Sequence, residues 1–408
     1  MLAAPWGGPS LPDVSFGDLL LVTAVAFAAP FTLGLFPALR LPAVVVEILA
    51  GIVLGPSLMG WLRVDLPVQI LSLIGLAFLL FLAGMEISFE RLRGRILKLT
   101  GLAFLVSIGL ALISGSGIGA LGLVGSPLLL AIILLATSLG LVIPVLKDAG
   151  ETNSTFGQLV ISGASVGDFG AVLLLALFFS RQASSTASTV ILLAGFGLVA
   201  ALVVITLRRA GRVMRLTGLL LRLQDTTAEI RVRGAVLLLI GFVALARWLG
   251  LETILAAFLA GAGLRLVDRD QAMTHPNFRL KLEAMGFGFF IPVFFVASGV
   301  QFNLGALFSS GATAVRIPLF LLALLLVRGI PAALYRGVIG DRPALAAGLL
   351  QATSLPFIVA ATQIGIQRNL ITAATGAALV AAGLLSVMIF PAAALGLLQG
   401  GKPAGRGR

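Results

Sequence analysis

The chain has 408 residues, 59% of them hydrophobic and 11% charged, with a formal net charge of +12. That balance lies outside the range of soluble domains and excludes a water-shielded core as the organising feature. The basic residues are spread between apolar runs, which excludes nucleic acid as their reason, and the lack of cysteine excludes disulfides and thiolate metal sites.

The fold class that follows is an all-α polytopic membrane protein. The N-terminal stretch MLAAPWGGPSLPDVSFGDLL lacks the basic region of a cleavable signal, so the first apolar run is expected to be a retained helix. Apolar segments able to cross the bilayer fall at about 17–36, 44–60, 68–87, 99–121, 127–146, 156–179, 190–207, 234–248, 251–266, 284–302, 317–335, 344–366 and 370–398, thirteen spans in all. Spans eight and nine are the shortest. With thirteen spans the basic residues sort by side: Arg91, Arg93, Arg95 and Lys98, the arginines from Arg208 to Arg233, and Lys402, Arg406 and Arg408 share one side. The other side receives only Arg63, Arg181, Arg247, Arg316 and Arg368. The positive-inside rule then places the N-terminus outside and the C-terminus in the cytoplasm.

The chain also resembles itself. "EILAGIVLG" from Glu47 returns as "TILAAFLAG" from Thr253, "FLAGMEISF" from Phe81 as "FVASGVQFN" from Phe295, and "LLATSL" from Leu134 as "LLQATSL" from Leu349. The offsets are 206, 214 and about 216 residues, in the same order along the chain. Seven spans separate each pair, so the copies are expected to run in opposite directions, the inverted-topology repeat of secondary transporters.

Charges deep in the bilayer need a reason, since each costs about 2.5–3.5 kcal/mol even on lenient insertion scales. Asp168, in "ISGASVGDFGAVLL", and Arg328, in "LLLVRGIPAAL", are that deep. Glu47 and Glu86 stand near span ends, where an interfacial or interhelical role is expected. Asp168 reads either as a structural carboxylate paired with Arg328 or as the seat of a proton or small cation. Gly163, Gly167 and Gly170 around it allow close helix approach, and Ser162 and Ser165 add oxygens. Span five adds Thr137 and Ser138 with Pro144 behind them, and span twelve repeats the device with Thr353, Ser354 and Pro356. A proline in a span removes a backbone donor and frees carbonyls, so both spans are expected to be interrupted helices. Arg328 stays protonated and can act as a fixed counter-charge, not as a proton carrier.

The strings "LPAVVVEILAGIVLGPSLMGW", "LAFLLFLAGMEI", "LLATSLGLVIPVLKDAGETNSTFGQLVISGASVGDFGAVLLLAL" and "PVFFVASGVQFNL" resemble the cation:proton antiporters of the NapA and Kef type, over nearly the whole chain. The resemblance implies a homodimer in the lipid bilayer in which a core carries the ion past a dimerisation scaffold by an elevator-like movement. It divides the chain into scaffold at 1–95 and 234–303, core at 96–180 and 304–398, a linker with a basic loop at 181–233, and a cytoplasmic tail at 399–408. By position it makes Asp168 the ion-binding aspartate, with Thr137 and Ser138 beside it on an unwound crossing helix. Gly167, Ser165, Arg328, Pro144, Thr353, Ser354 and Glu47 are supporting positions. Two departures stand out: electrogenic relatives carry a second aspartate where this chain has Gly167, and a lysine where it has Arg328. Kef-type members often continue into a nucleotide-binding domain, which is not expected after span thirteen.

The function expected is exchange of Na+ or K+ for H+ at Asp168, one for one and electroneutral, without a cofactor or a nucleic-acid partner, in a prokaryotic plasma membrane. A transporter of organic anions or other solutes on a related fold is the alternative, with Arg328 as the substrate's partner. A non-transporting ion sensor on the same scaffold is another. An enzyme is not expected: "SVGD" approaches the motif of intramembrane aspartyl proteases, but that chemistry needs two carboxylates sharing a proton, and no second deep aspartate exists.

Overall fold

The computed structural model describes residues 16–36, 41–86, 94–179, 229–267, 277–308 and 311–399, with six further positions between 194 and 205. In chain order its helices are α1 (Gly17–Leu35), α2 (Ala43–Leu54), α3 (Leu66–Glu86), α4 (Gly94–Ala120), α5 (Pro127–Leu135), α6 (Leu139–Asp148), α7 (Thr155–Phe178), α8 (Ile230–Trp248), α9 (Thr253–Val267), α10 (Asn277–Met285), α11 (Ile291–Val300), α12 (Leu304–Phe308), α13 (Gly311–Leu324), α14 (Arg336–Ile339), α15 (Asp341–Gln351), α16 (Pro356–Gln367) and α17 (Ala373–Gln399). A π-turn at Gly286–Phe290 leads into α11, and a π-turn at Leu325–Gly329 with a 3-10 turn at Ile330–Tyr335 follows α13.

Among the described residues nine helical segments are long and apolar enough to cross a membrane, α5 with α6 and α15 with α16 each counting as one. Two shorter apolar helices, Ala43–Leu54 and Thr253–Leu266, accompany them. Each expected span other than the seventh falls on a described helix. Most of span seven, most of the linker at 181–233 and the tail beyond residue 399 lie outside the described residues.

The chain divides into two compact units. The first comprises Met1–Gly75 and Phe287–Phe302. Its centre is the pair α2 and α11, which meet backbone to backbone at two glycines: a Cβ on Gly51 would run into Val296 O, and one on Gly299 into Ile48 O. Small residues at such a crossing let two helices approach in lipid, where van der Waals contact has to supply the association. Val22, Leu62, Val68, Val293 and Val296 fill the space around the pair, and Glu47 is buried on α2. Replacing Gly299 by leucine is expected to force the pair apart and destabilise the protein by about 3 kcal/mol, read as a lower melting temperature of the detergent-purified protein. An unchanged melting temperature would show that the close approach is not needed.

The second unit comprises Leu76–Gly286 and Asn303–Arg408. Its core gathers Leu139, Val142 and Leu146 of α6, Leu159, Val160 and Ala164 of α7, Tyr335, and Ala347 and Leu350 of α15. The end of α7 is tied by Arg368, which donates to Phe179 O and forms an ion pair with Glu252. A guanidinium there also suits the negative end of a helix dipole.

Candidate functional site

Two helices of the second unit are interrupted at the expected places. Between α5 and α6 the residues Ala136, Thr137 and Ser138 are outside any helix, with Ala136 extended at φ −71°, ψ 147° and Ser138 at φ −97°, ψ 90°. Pro144 lies inside α6 and does not make this break. Between α15 and α16 the break runs through Thr353, Ser354 and Leu355, and here proline does contribute. Pro356 occupies the first position of α16, where its missing N–H is harmless, and it disfavours helical geometry at Leu355.

The two breaks are bonded to each other. Ser138 N–H donates to Thr353 O (2.8 Å), and the Thr137 hydroxyl donates to Gln351 O (2.7 Å). Backbone groups that lose a helical ladder need other partners when buried, and each break supplies some of them to the other.

Asp168 projects from α7 onto the start of α6. Thr137 N–H donates to its Oδ1 at 3.0 Å and Leu139 N–H to its Oδ2 at 3.3 Å. The Ser138 side chain does not cap α6, so a carboxylate from another helix binds that N-terminus, where free N–H groups and the helix dipole favour an anion. A carboxylate has about four lone-pair positions. Two are used, and the remainder can take a proton or a cation. Asp168 is half-buried, whereas Thr137, Ser138, Thr353 and Ser354 are buried.

Arg328, in the π-turn after α13, is only 2% exposed. It is not hydrogen-bonded to Asp168. Its Nε donates to the Thr137 hydroxyl (2.9 Å), Nη2 to Gly163 O (3.0 Å) and Nη1 to the Ser107 hydroxyl (3.5 Å). The direct pair weighed from the sequence is replaced by a relay: Arg328 holds the Thr137 side chain, and the Thr137 N–H holds Asp168. The guanidinium lies over Gly167, where a Cβ would stand 2.5 Å from Nη2 and 2.9 Å from Cζ.

The remaining expected residues fall into distinct places. The Ser165 hydroxyl bonds back to Ile161 O in its own helix (2.9 Å), and that of Thr353 to Leu349 O (3.2 Å). The Ser354 hydroxyl is buried without a hydrogen-bond partner among the described residues. Glu47 belongs to the first unit. Glu86, at the end of α3, comes near the first turn of α6: its carboxylate oxygens are 3.9 and 4.0 Å from where a Gly140 Cβ would be. Sequence reasoning missed Gln351, which joins both breaks through its carbonyl and bonds Tyr335 through its side chain (3.2 Å). The signal was the extra polar residue in "LLQATSL" relative to "LLATSL".

A carboxylate at paired interrupted helices is an arrangement that known proteins can be compared with. The family model described as sodium/hydrogen exchanger, transmembrane, matches residues 23–395. The chain belongs to the sodium/hydrogen exchanger family. Among members, YjbQ of Bacillus subtilis is 32% identical over 396 residues, covering 93% of this chain and 63% of the relative, so the chain spans less than two thirds of that protein's length. A Na+/H+ antiporter of Enterococcus hirae is 28% identical over 369 residues, covering 86% of this chain and 90% of the relative. The structure of the sodium proton antiporter MjNhaP1 from Methanocaldococcus jannaschii matches at a TM-score of 0.66 and 19% identity, over 94% of this chain and 98% of that one. The exchanger chain therefore shares the MjNhaP1 fold.

Proposed function

We propose that this protein is a secondary active antiporter exchanging one monovalent cation, Na+ or K+, for one proton, with no enzymatic step and no cofactor. The observation that carries the reading is Asp168 itself: one half-buried carboxylate, seated by two backbone N–H groups at the crossing of two interrupted helices. Asp168 binds either H+ or the cation, and Thr137 and Ser138 frame the seat. Inverted repeats place the two crossings as counterparts, and an elevator-like movement of the core carries the loaded site between the two faces. The protein acts as a homodimer in a prokaryotic plasma membrane, with its N-terminus outside and its C-terminus in the cytoplasm. An organic-anion cargo is disfavoured because Arg328 is buried, with each of its three nitrogens already bonded, to Thr137, Ser107 and Gly163.

The stoichiometry follows from charge. Gly167 carries none and Arg328 keeps its own, so the proton-loaded and cation-loaded sites have equal net charge, their opposite crossings cancel, and the complete exchange cycle is not driven by voltage. Moving one net charge through about 100 mV is worth about 2.3 kcal/mol, which makes the contrast measurable. In proteoliposomes with an internal pH dye, added Na+, K+ or Li+ is expected to collapse an imposed pH gradient. Clamping the potential with K+ and valinomycin is expected to leave the Na+-driven rate unchanged. A rate that follows the clamp overturns one-for-one exchange, and no collapse with any of the three cations overturns exchange altogether.

A further inference from the structure

The break between α15 and α16 takes Ser354 out of any helical ladder while burying it completely. Both of its backbone groups find the same side chain on α17. Ser354 N–H donates to Ser386 Oγ at 3.2 Å, and Ser386 Oγ lies 3.1 Å from Ser354 O. The helix can come this close because residue 383 is glycine: a Cβ there would stand 3.1 Å from Ser354 O and 3.2 Å from Leu355 Cδ1. Ser386, like Ser354, is fully buried. The contact lies one residue beyond Thr353, whose carbonyl receives Ser138 N–H from the first crossing.

A hydroxyl has one proton to give. Ser386 Oγ is also 2.7 Å from Gly383 O in its own helix, so its proton serves either Gly383 O or Ser354 O. Turned to Ser354, it ties that carbonyl. Turned to Gly383, it leaves the Ser354 carbonyl without that donor, while the Ser354 N–H remains held by the hydroxyl oxygen. The change needs rotation about one bond and no movement of the backbone.

We propose that Ser386 is a positioning residue for the transported cation, fixing the Ser354 backbone so that the neighbouring Thr353 carbonyl holds Ser138 N–H beside the Asp168 seat. The inference rests on the exchange reading above for its cargo, while the clamp on Ser354 can be measured without transport. In proteoliposomes Ser386→Ala is expected to raise the Na+ concentration for half-maximal exchange about fivefold, the factor for one lost hydrogen bond, with the maximal rate nearly unchanged. Ser386→Thr, which keeps the hydroxyl, is expected to restore the wild-type value. Hydrogen–deuterium exchange of the Ser354 amide in the same purified proteins should quicken by a similar factor in Ser386→Ala alone. Should the alanine variant not accumulate, Ser386→Cys keeps the volume with a weak hydrogen-bonding group and takes its place. An unchanged half-maximal concentration, equal shifts in the alanine and threonine variants, or unaltered Ser354 amide exchange overturns the proposal. A quickened Ser354 amide in a protein whose wild type moves no cation supports the clamp and overturns the exchange reading alone.

Discussion

Asp168→Asn is expected to reduce cation-driven proton movement to the level of protein-free liposomes. An asparagine neither takes up a proton in this range nor offers a full negative charge to a cation, so both cargoes lose their seat. The fold should survive. The asparagine oxygen still accepts from one of the two N–H groups that hold Asp168, Thr137 or Leu139, and the loss of the other bond costs about 1 kcal/mol. The variant should therefore purify and melt near the wild type while failing in the dye assay with Na+, K+ and Li+. Retained collapse of the pH gradient would remove Asp168 from the ion path and leave it as a cap for α6.

Much of this arrangement was legible in the sequence because it depends on local pattern. Apolar run length marks the nine long helical segments, and Asp168 stands out as a charge within an apolar run. The two "ATSL" stretches mark both breaks, since hydroxyl side chains and a nearby proline weaken helical ladders. Two features were not legible. The cause of the first break was hidden: Pro144 lies inside α6, and what holds Ala136–Ser138 out of the helix is bonding to the second crossing, remote in sequence. The partners of Arg328 were also hidden. Its bonds reach residues 191, 165 and 221 positions away, and charge alone pointed to Asp168. A guanidinium has several directed donors and is satisfied by neutral oxygens in the right places, which only the packing of α4, α7 and the first break brings together.

Arg328→Met is expected to lower exchange at least tenfold, and Arg328→Lys to recover only part of it. Methionine has a similar length but gives no hydrogen bonds, so the Thr137 hydroxyl keeps only its bond to Gln351 O and the charged bonds to Thr137 and Gly163 are lost, at about 1.5–3 kcal/mol apiece. Lysine keeps the charge, but its ammonium is a point and cannot span acceptors that the planar fork reaches from separate nitrogens. The sharper test adds Gly167→Ala to each background. In the wild type the new Cβ would lie 2.5 Å from Arg328 Nη2, so the arginine must leave its place and the Thr137 relay with it. In the Arg328→Met background the side chain facing that methyl group is flexible and neutral, so the methyl should be tolerated far better, giving strong non-additivity in exchange and in melting temperature. Additive effects would mean that Arg328 does not keep residue 167 small. Non-additive ones would join the two departures from electrogenic relatives into one: an arginine that occupies the space over residue 167 leaves no room there for a second carboxylate.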